Sequence, residues 1–172
     1  MSAPPGDGAT VTVSVRVPPD EAFAIFTQET DLWWRTGPRY RIAGRRRGRL
    51  AFEPGPGGRL FETVELPAGP RAFEVGTILV WEPPHRLAFE WRGVNFRPGE
   101  STRVDVTFRS AGDATLVTLR HAGFASLREG HPVRHGLEGA AFSRWIGLWW
   151  GELLSGLREH AARRAADALR PT

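Results

Sequence analysis

Cysteine and lysine are both absent from this 172-residue chain. Without cysteine the protein has no disulfide bond, no thiolate nucleophile and no cysteine-ligated metal. Without lysine, all 23 basic residues are arginines, and the net charge is only +4 at pH 7. An excess this small, spread along the chain, does not indicate nucleic-acid binding.

Long hydrophobic runs are missing as well. No stretch approaches the roughly 18 consecutive apolar residues that a membrane span requires, and the amino terminus lacks the charged and then apolar pattern of a secretory signal. We therefore expect a cytoplasmic protein without a membrane span. No serine lies in a nucleophile-elbow context, and residues 55–58 are typical of a hairpin turn interrupted by proline rather than of a phosphate-binding loop. We expect no cofactor.

Large aromatic side chains are abundant. The chain contains seven tryptophans and ten phenylalanines but one methionine, and 41% of its residues are hydrophobic. This composition predicts a globular protein whose core is built from rigid rings, and the length is most simply that of one domain. We predict a disordered segment at 1–10, one domain at 11–165 and a tail at 166–172.

The order of periodic segments predicts an α+β fold. Residues 11–17 alternate valine with polar residues, as in a strand with one buried face, and two short helices follow, near Pro19 and near Thr30. From Tyr40 to His121 the period becomes two, with recurrent proline- and glycine-rich turns. These short connections predict an antiparallel meander, and with the first strand a sheet of six or seven strands. The predicted meander strands are 49–53, 59–66, 71–81, 86–92, 101–109 and 114–121.

The longest apolar periodicity predicts a terminal helix from Pro132 to about Arg164. Its apolar side chains share one arc of a helical wheel, namely Phe142, Trp145, Ile146, Trp149, Trp150, Leu153, Leu154 and Leu157. Glycines in this stretch each cost about 1 kcal/mol relative to alanine, so tertiary packing must stabilise the helix. One face of the predicted sheet is apolar and needs a cover, which this helix can provide.

Several motifs in this order resemble a known family. They are VRVPPDEAFAIF at 15–26, LWW at 32–34, GGRLFE at 57–62, GTILVWEPPHRL at 76–87, FEW at 89–91 and HAGF at 121–124. Together they resemble the homologues of the activator of the Hsp90 ATPase, within the START and birch-pollen-allergen (SRPBCC) superfamily. The resemblance implies a helix-grip fold, in which a curved antiparallel sheet wraps around the long terminal helix, and an internal cavity between sheet and helix.

An aromatic surplus without a catalytic constellation predicts a non-catalytic protein that binds a small hydrophobic or aromatic molecule in that cavity. The candidate contacts are Trp34, Trp81, Phe89, Trp91, Phe108, His121, Trp145 and Trp149. The rings would supply shape and dispersion, and Gly156 would border the open space on the same side of the helix. His121 would orient a polar group of the ligand, although a purely structural role is the more common one for such a histidine.

The alternative hypothesis is a chaperone-linked or other protein-interaction module that acts through its outer surface, as a monomer or a homodimer. The arginine-rich stretch 39–49 predicts an exposed loop that could meet an acidic protein partner. A solvated loop with no partner is the more common outcome for such a charge run.

Two further groups of polar residues are more typical of structural positions than of a metal or catalytic site. His131, His135 and Glu138 have a spacing close to that of zinc ligands, but Pro132 biases His131 away from helical geometry, so we expect no metal site. Glu62 and Glu74 could act as general bases only if they face a cavity. Alternation along the strands does not settle which way either carboxylate points.

Overall fold

The computed structural model describes residues 3–171. The elements in chain order are β1 (Gly8–Val15), α1 (Pro19–Gln28), α2 (Thr30–Trp33), β2 (Gly48–Phe52), β3 (Arg59–Leu66), β4 (Gly69–Glu82), β5 (Arg86–Trp91), β6 (Thr102–Ala111), β7 (Ala114–Ala122) and α3 (Gly139–Ala168). Two short 3-10 helices, Phe124–Ser126 and Pro132–Arg134, lie between β7 and α3. No helix in this part of the chain combines the length and the apolarity that crossing a bilayer requires.

The strands form a seven-stranded sheet in the order β1-β7-β6-β5-β4-β3-β2, and every neighbouring pair is antiparallel. The three α-helices pack on the sheet, and α3 lies beside β1 and α2. The predicted α+β helix-grip fold is therefore confirmed. The curved sheet wraps around α3 because only its inner face carries the buried apolar side chains.

The first strand begins earlier than predicted. Gly8 is the first residue of β1, and residues 8–10 pair with residues 120–122 of β7. Upstream of the strand, the Gly6 amide donates a hydrogen bond to the Ser143 hydroxyl at 3.1 Å. Part of the segment expected to be disordered is thus held by α3 and by the sheet edge, while residues 1 and 2 lie outside the described residues.

Strand β4 departs from the predicted alternation. Its register with β3 shifts at Val75, since Leu60 pairs with Gly76 whereas Phe61 pairs with Glu74, and its register with β5 shifts again between Ile78 and Val80. Because a bulge adds one residue and reverses the facing of the positions that follow it, Ile78 is buried whereas Leu79 is 42% exposed. Strict alternation along 71–81 predicts that Leu79 shares the inner face with Val75, and this prediction is wrong because of the bulge.

The terminal helix begins seven residues later than predicted, at Gly139 instead of Pro132, and ends at Ala168. Pro132 starts only a short 3-10 helix, which ends at His135 with a left-handed backbone (φ 51°). Gly136 also has a positive φ, 75°. Two consecutive left-handed residues cannot continue a right-handed helix, so the apolar periodicity before Gly139 belongs to an irregular segment.

Helix α3 buries one continuous face. Its buried residues are Phe142, Ile146, Trp149, Trp150, Leu153, Leu154, Gly156, Leu157 and Ala161. This agrees with the predicted apolar arc except at Trp145, which is only half-buried. The interior beside α1 is filled by rings, since Phe23 lies 5.1 Å from Phe108 and Phe26 lies 5.7 Å from Phe108, measured between ring centroids.

Gly156 allows α3 to approach the end of α2. A methyl group at this position would lie 2.6 Å from the Trp33 carbonyl oxygen, closer than van der Waals contact permits. Gly151, five residues earlier, has no neighbouring atom within 4 Å of such a methyl group. Gly156, which was expected to border the ligand space, thus lies directly against the backbone of α2.

This pair of glycines gives a matched stability test. We expect Gly151→Ala to stabilise the protein by about 0.5–1 kcal/mol through helix propensity alone. Gly156→Ala has the same propensity gain but must displace the α2 backbone, and we expect a net loss of about 1–3 kcal/mol. Urea unfolding followed by tryptophan fluorescence measures both changes, and a stabilised Gly156→Ala variant would contradict the close packing.

Candidate functional site

An apolar pocket opens beside the first turns of α3. Its volume is about 270 Å³, and it lies between the end of β5, the loop after α2 and the segment that precedes α3. Its lining residues are Pro38, Arg39, Tyr40, Arg41, Ile42, Trp91, Gly93, Val94, Asn95, Phe96, His121, Phe124, Pro132, Val133, His135, Trp145, Ile146 and Trp149. This volume lies near the lower end of the range of about 300–1,000 Å³ that is usual for small-molecule sites.

Three indoles form the inner wall of the pocket and the layer behind it. Trp91 of β5 stacks on Trp34, with centroids 6.1 Å apart and planes 12° from parallel. Trp149 meets Trp91 edge-on at 6.0 Å. Trp34 itself is buried behind this wall, where its ring nitrogen donates to the Tyr40 carbonyl at 3.1 Å. The wall is therefore rigid, because each ring packs against another ring.

His121 lies behind Trp91 and is only 1% exposed. The Trp150 indole N–H donates to His121 Nδ1 at 3.0 Å. Nδ1 is consequently the unprotonated nitrogen, and Nε2 carries the hydrogen and donates it to the Thr102 hydroxyl at 2.7 Å. The Thr102 hydroxyl donates in turn to the Trp91 carbonyl at 3.3 Å. Both ring nitrogens are thus occupied, so His121 has no nitrogen left to orient a ligand.

Burial also determines the charge of His121. Desolvation lowers the pKa of this imidazole from 6.5 to about 3, so the ring is neutral at physiological pH. A protonated ring would place an N–H at Nδ1, directly against the Trp150 N–H. In the structure the ring has a positioning role, because its two nitrogens join α3 to β6 and β7.

The outer rim of the pocket combines aromatic rings with cationic and imidazole side chains. The Arg39 guanidinium lies 5.8 Å from the Tyr40 ring and 5.9 Å from the Trp145 ring. The His135 ring packs against the same tryptophan, with its centroid 4.5 Å from that of Trp145. Trp149 connects the rim to the inner wall, since its N–H donates to the Arg39 carbonyl at 2.9 Å.

Arg39 and Arg41 have different environments although both line the pocket. Arg41 is buried, and its guanidinium donates to the Asp31 carboxylate and to the carbonyls of Trp34 and Arg35. Arg39 makes one ion pair, with Glu152, whose closest atoms lie 3.4 Å apart and whose side chains are both about half exposed. The prediction of an exposed arginine loop therefore holds for Arg39 but is wrong for Arg41, which fills a structural position.

Another side of the pocket is formed by the loop that follows β5. Phe96 of this loop packs against His131 at a centroid distance of 4.7 Å. Glu100, at the end of the loop, forms an ion pair with Arg128 and accepts the Arg97 amide. These contacts hold the loop against the segment that precedes α3.

The other predicted ligand contacts lie away from the pocket, with Phe89 and Phe108 in the filled core and Trp81 partly buried against it. Phe89 is fully buried against Phe52 at 5.3 Å, and Phe108 packs between the two phenylalanines of α1. Trp81 meets Phe23 edge-on at 5.1 Å. Of the eight predicted contact residues, the pocket brings together Trp91, His121, Trp145 and Trp149, with Trp34 directly behind them.

Glu62 and Glu74, the two carboxylates considered as general bases, have different environments in the structure. Glu62 is 2% exposed, and its two carboxylate oxygens accept the Ile42 and Ala43 amides at 2.8 and 2.9 Å. It therefore fixes the loop after α2 and is not available as a general base. Glu74 is exposed on β4, where its carboxylate accepts the Thr77 hydroxyl at 3.3 Å.

The three residues with zinc-like spacing do not converge. His131 is buried at the start of a 3-10 helix, where its Nδ1 accepts the Val133 amide at 3.1 Å. His135 is exposed on the pocket rim, and Glu138 precedes α3. Within residues 3–171, no group of three or more histidine, aspartate or glutamate side chains is arranged to hold a metal ion.

Sequence reasoning missed the aliphatic and loop parts of the lining. Tyr40, Ile42 and Phe96 lie on loops, where no periodicity indicates which way a side chain points. Ile146 is the exception, because it lies in the predicted apolar arc one position after Trp145. Its position between Trp145 and Trp149 on that arc could have identified it as a lining residue.

Fold and pocket define the class of protein. A long helix held in a curved antiparallel sheet, with an apolar opening at one end, is the helix-grip architecture. Residues 16–143, more than half of the chain, match the family described as Activator of Hsp90 ATPase homolog 1-like protein. The chain belongs to this family, as the sequence motifs predicted. No curated protein matches the sequence.

Three solved structures are similar to this chain. An anthrahydroquino-gamma-pyrone synthase is 28% identical, with a TM-score of 0.56 over 92% of this chain and 99% of that chain. An Hsp90 activator from Plasmodium falciparum is 19% identical, with a TM-score of 0.56 over 88% of this chain and 94% of that chain. A protein from Mesorhizobium loti is 17% identical, with a TM-score of 0.55 over 90% and 97% of the respective chains. The last two likenesses show the fold alone.

The neutral His121 predicts a specific pH dependence of stability. Because its folded pKa of about 3 lies below the unfolded value of about 6.5, the unfolded chain binds a proton that the folded chain excludes. Stability is then complete above about pH 6.5 and falls as the pH drops toward 3. Between pH 7 and pH 5 we expect this group to remove about 2 kcal/mol from the free energy of unfolding.

The variant His121→Gln isolates that contribution. It should be less stable than the wild type at pH 7, because the Trp150 N–H and the Thr102 hydroxyl lose their partner, and its stability should fall less between pH 7 and pH 5. Urea unfolding at several pH values measures both slopes. Equal slopes in the two proteins would show that His121 is not the buried neutral group described here.

Proposed function

We propose that this protein binds a small, flat, hydrophobic or aromatic molecule in the pocket beside the first turns of α3. The observation that supports this most directly is the lining, in which Trp91, Trp145 and Trp149 face an opening of about 270 Å³. Exposed indole faces in a concave site favour planar apolar ligands, because stacking adds to the burial of apolar area. The size suits a molecule of two or three fused rings.

A binding role without catalysis agrees with the polar groups around the pocket. A general acid or base must be within hydrogen-bond reach of the reacting atom and free to exchange a proton. The nitrogens of His121 and the oxygens of Glu62 are engaged in internal hydrogen bonds. We therefore propose a carrier or sensor of its ligand rather than an enzyme.

Family membership supports the ligand class. Members of this family bind hydrophobic ligands. The likeness to an anthrahydroquino-gamma-pyrone synthase, a protein named for a fused aromatic product, favours a planar ring system in this pocket as well. We do not propose the synthase activity for this chain, because the nitrogens of His121 and the oxygens of Glu62 are engaged in internal hydrogen bonds.

Filling the pocket tests the proposal. Val133 is a half-buried lining residue, and Val133→Phe should place a ring in the opening. We expect the affinity for 2-naphthol and 1-anilinonaphthalene-8-sulfonate, measured by calorimetry and tryptophan quenching, to fall at least about tenfold, or 1.4 kcal/mol.

Leu148→Phe is the matched control, because Leu148 is 61% exposed on α3 and does not line the pocket. It should bind both probes like the wild type. If Val133→Phe bound the probes as tightly as the wild type, the probes would bind outside this pocket. Absence of binding to the wild type by these probes and by a panel of fused-ring compounds would overturn the proposal.

A second candidate function is interaction with a chaperone through the outer surface. The exposed triplet Arg45–Arg47 follows a turn that Glu62 holds through the Ile42 and Ala43 amides. A rigidly held cationic triplet suits an acidic protein surface. The family description, which refers to an Hsp90 ATPase activator, makes Hsp90 the partner to examine first.

Changing all three arginines of the triplet to glutamine tests this candidate. If the surface contacts a chaperone, the wild type should raise the ATP hydrolysis rate of a purified Hsp90, and the triple variant should lose that effect while its unfolding midpoint stays unchanged. Stimulation that persists in the variant would exclude this surface. No stimulation by the wild type would exclude the candidate.

A further inference from the structure

The pocket contains cationic groups but no acidic one. Of its 18 described lining residues, two are arginines and none is an aspartate or a glutamate. An apolar cleft with charge of one sign attracts ligands of the opposite sign, because its low-polarity walls screen the charge poorly. The charge of the lining therefore bears on which flat molecule the pocket selects.

Only one of the two arginines can turn toward a ligand. Arg41 donates to the Asp31 carboxylate and to three backbone carbonyls, and its side chain is 4% exposed. Moving it would remove the donor from the carbonyls of Trp34 and Arg35 and the ion pair from Asp31. The Arg39 guanidinium is 49% exposed and has Glu152 as its acidic neighbour, with 3.4 Å between the closest atoms. Exposed pairs of this kind contribute about 0–1 kcal/mol, so a ligand can replace Glu152.

The position of Arg39 is fixed by the pocket itself. Its carbonyl accepts the Trp149 indole N–H, and its guanidinium lies within 6 Å of the Tyr40 and Trp145 rings. The charged end therefore sits at the rim, directly beside the ring surfaces that would stack on a flat ligand. A guanidinium presents two parallel N–H donors that match the two oxygens of a carboxylate.

We propose that the ligand is an aromatic acid, whose ring system enters between Trp91, Trp145 and Trp149 and whose carboxylate pairs with Arg39 at the rim. This inference rests on the proposed pocket function and adds the chemical class of the ligand. It assigns Arg39 as the residue that distinguishes an acid from a neutral molecule of the same shape.

Two probes of the same shape test the assignment. 2-Naphthoate carries a carboxylate, and 2-naphthamide is its neutral counterpart. Because a hydrogen bond to a charged group is stronger than one to a neutral group, we expect the wild type to bind the acid about tenfold or more tightly than the amide. Raising the salt concentration should weaken the binding of the acid and leave the amide unaffected.

Variants of Arg39 and Arg45 test which arginine causes the preference for the acid over the amide. Arg39→Gln should bind both probes with affinities within about twofold of each other, and Arg39→Lys, which keeps the charge but not the paired donors, should retain part of the preference. Arg45→Gln is the matched control, because Arg45 is exposed on the same loop outside the pocket, and it should behave like the wild type.

The outcomes separate this inference from the function on which it rests. Equal binding of acid and amide by the wild type, or a preference that survives in Arg39→Gln, would overturn the aromatic-acid assignment and leave the pocket function standing. If neither probe bound the wild type while other fused-ring compounds did, the aromatic-acid assignment alone would fail, and if none of these compounds bound, both proposals would fail. If Arg45→Gln lost the preference as well, the selectivity would come from the overall charge of the loop and not from Arg39.

Discussion

The burial of the Trp150 indole against β7 is the contact on which the arrangement of helix and sheet depends. A buried indole N–H needs an acceptor, and His121 supplies it through Nδ1, which must therefore be the unprotonated nitrogen of the ring. Thr102 and the Trp91 carbonyl continue the chain of hydrogen bonds across β6 to β5. This chain of hydrogen bonds connects α3 to β7, β6 and β5, and it requires a neutral imidazole at its centre.

The same contact separates a filled interior from an open end. On one side of Trp150, the close approach of Gly156 to the α2 backbone and the phenylalanines of α1 leave the core closed. On the other side, the entry to α3 is irregular, because His135 and Gly136 adopt left-handed backbones. The pocket lies at this end, between the irregular segment and the first turns of α3.

Much of the fold could be predicted from the sequence, and about half of the site. Period-two alternation located the meander strands to within a few residues, because each strand buries one face. It failed at Leu79, because a bulge at Val75 reverses the facing of the residues that follow. Among the predicted contacts, Trp91, Trp145 and Trp149 do line the pocket, whereas Phe89 and Phe108 point into the closed core. An aromatic side chain has the same sequence signature in both places.

By itself the sequence determined the α+β class, through periodicity and turn residues, and the aromatic character of the interior, through composition, while its motifs carried the resemblance that indicated the family and the helix-grip architecture. Tertiary structure decided the chemistry of individual polar groups. Arg39 and Arg41 are two positions apart, yet the second is bound to Asp31 and buried while the first remains at the rim. His121 and Glu62 became structural for the same reason. The partners that occupy a polar side chain come from distant segments, and no local pattern encodes them.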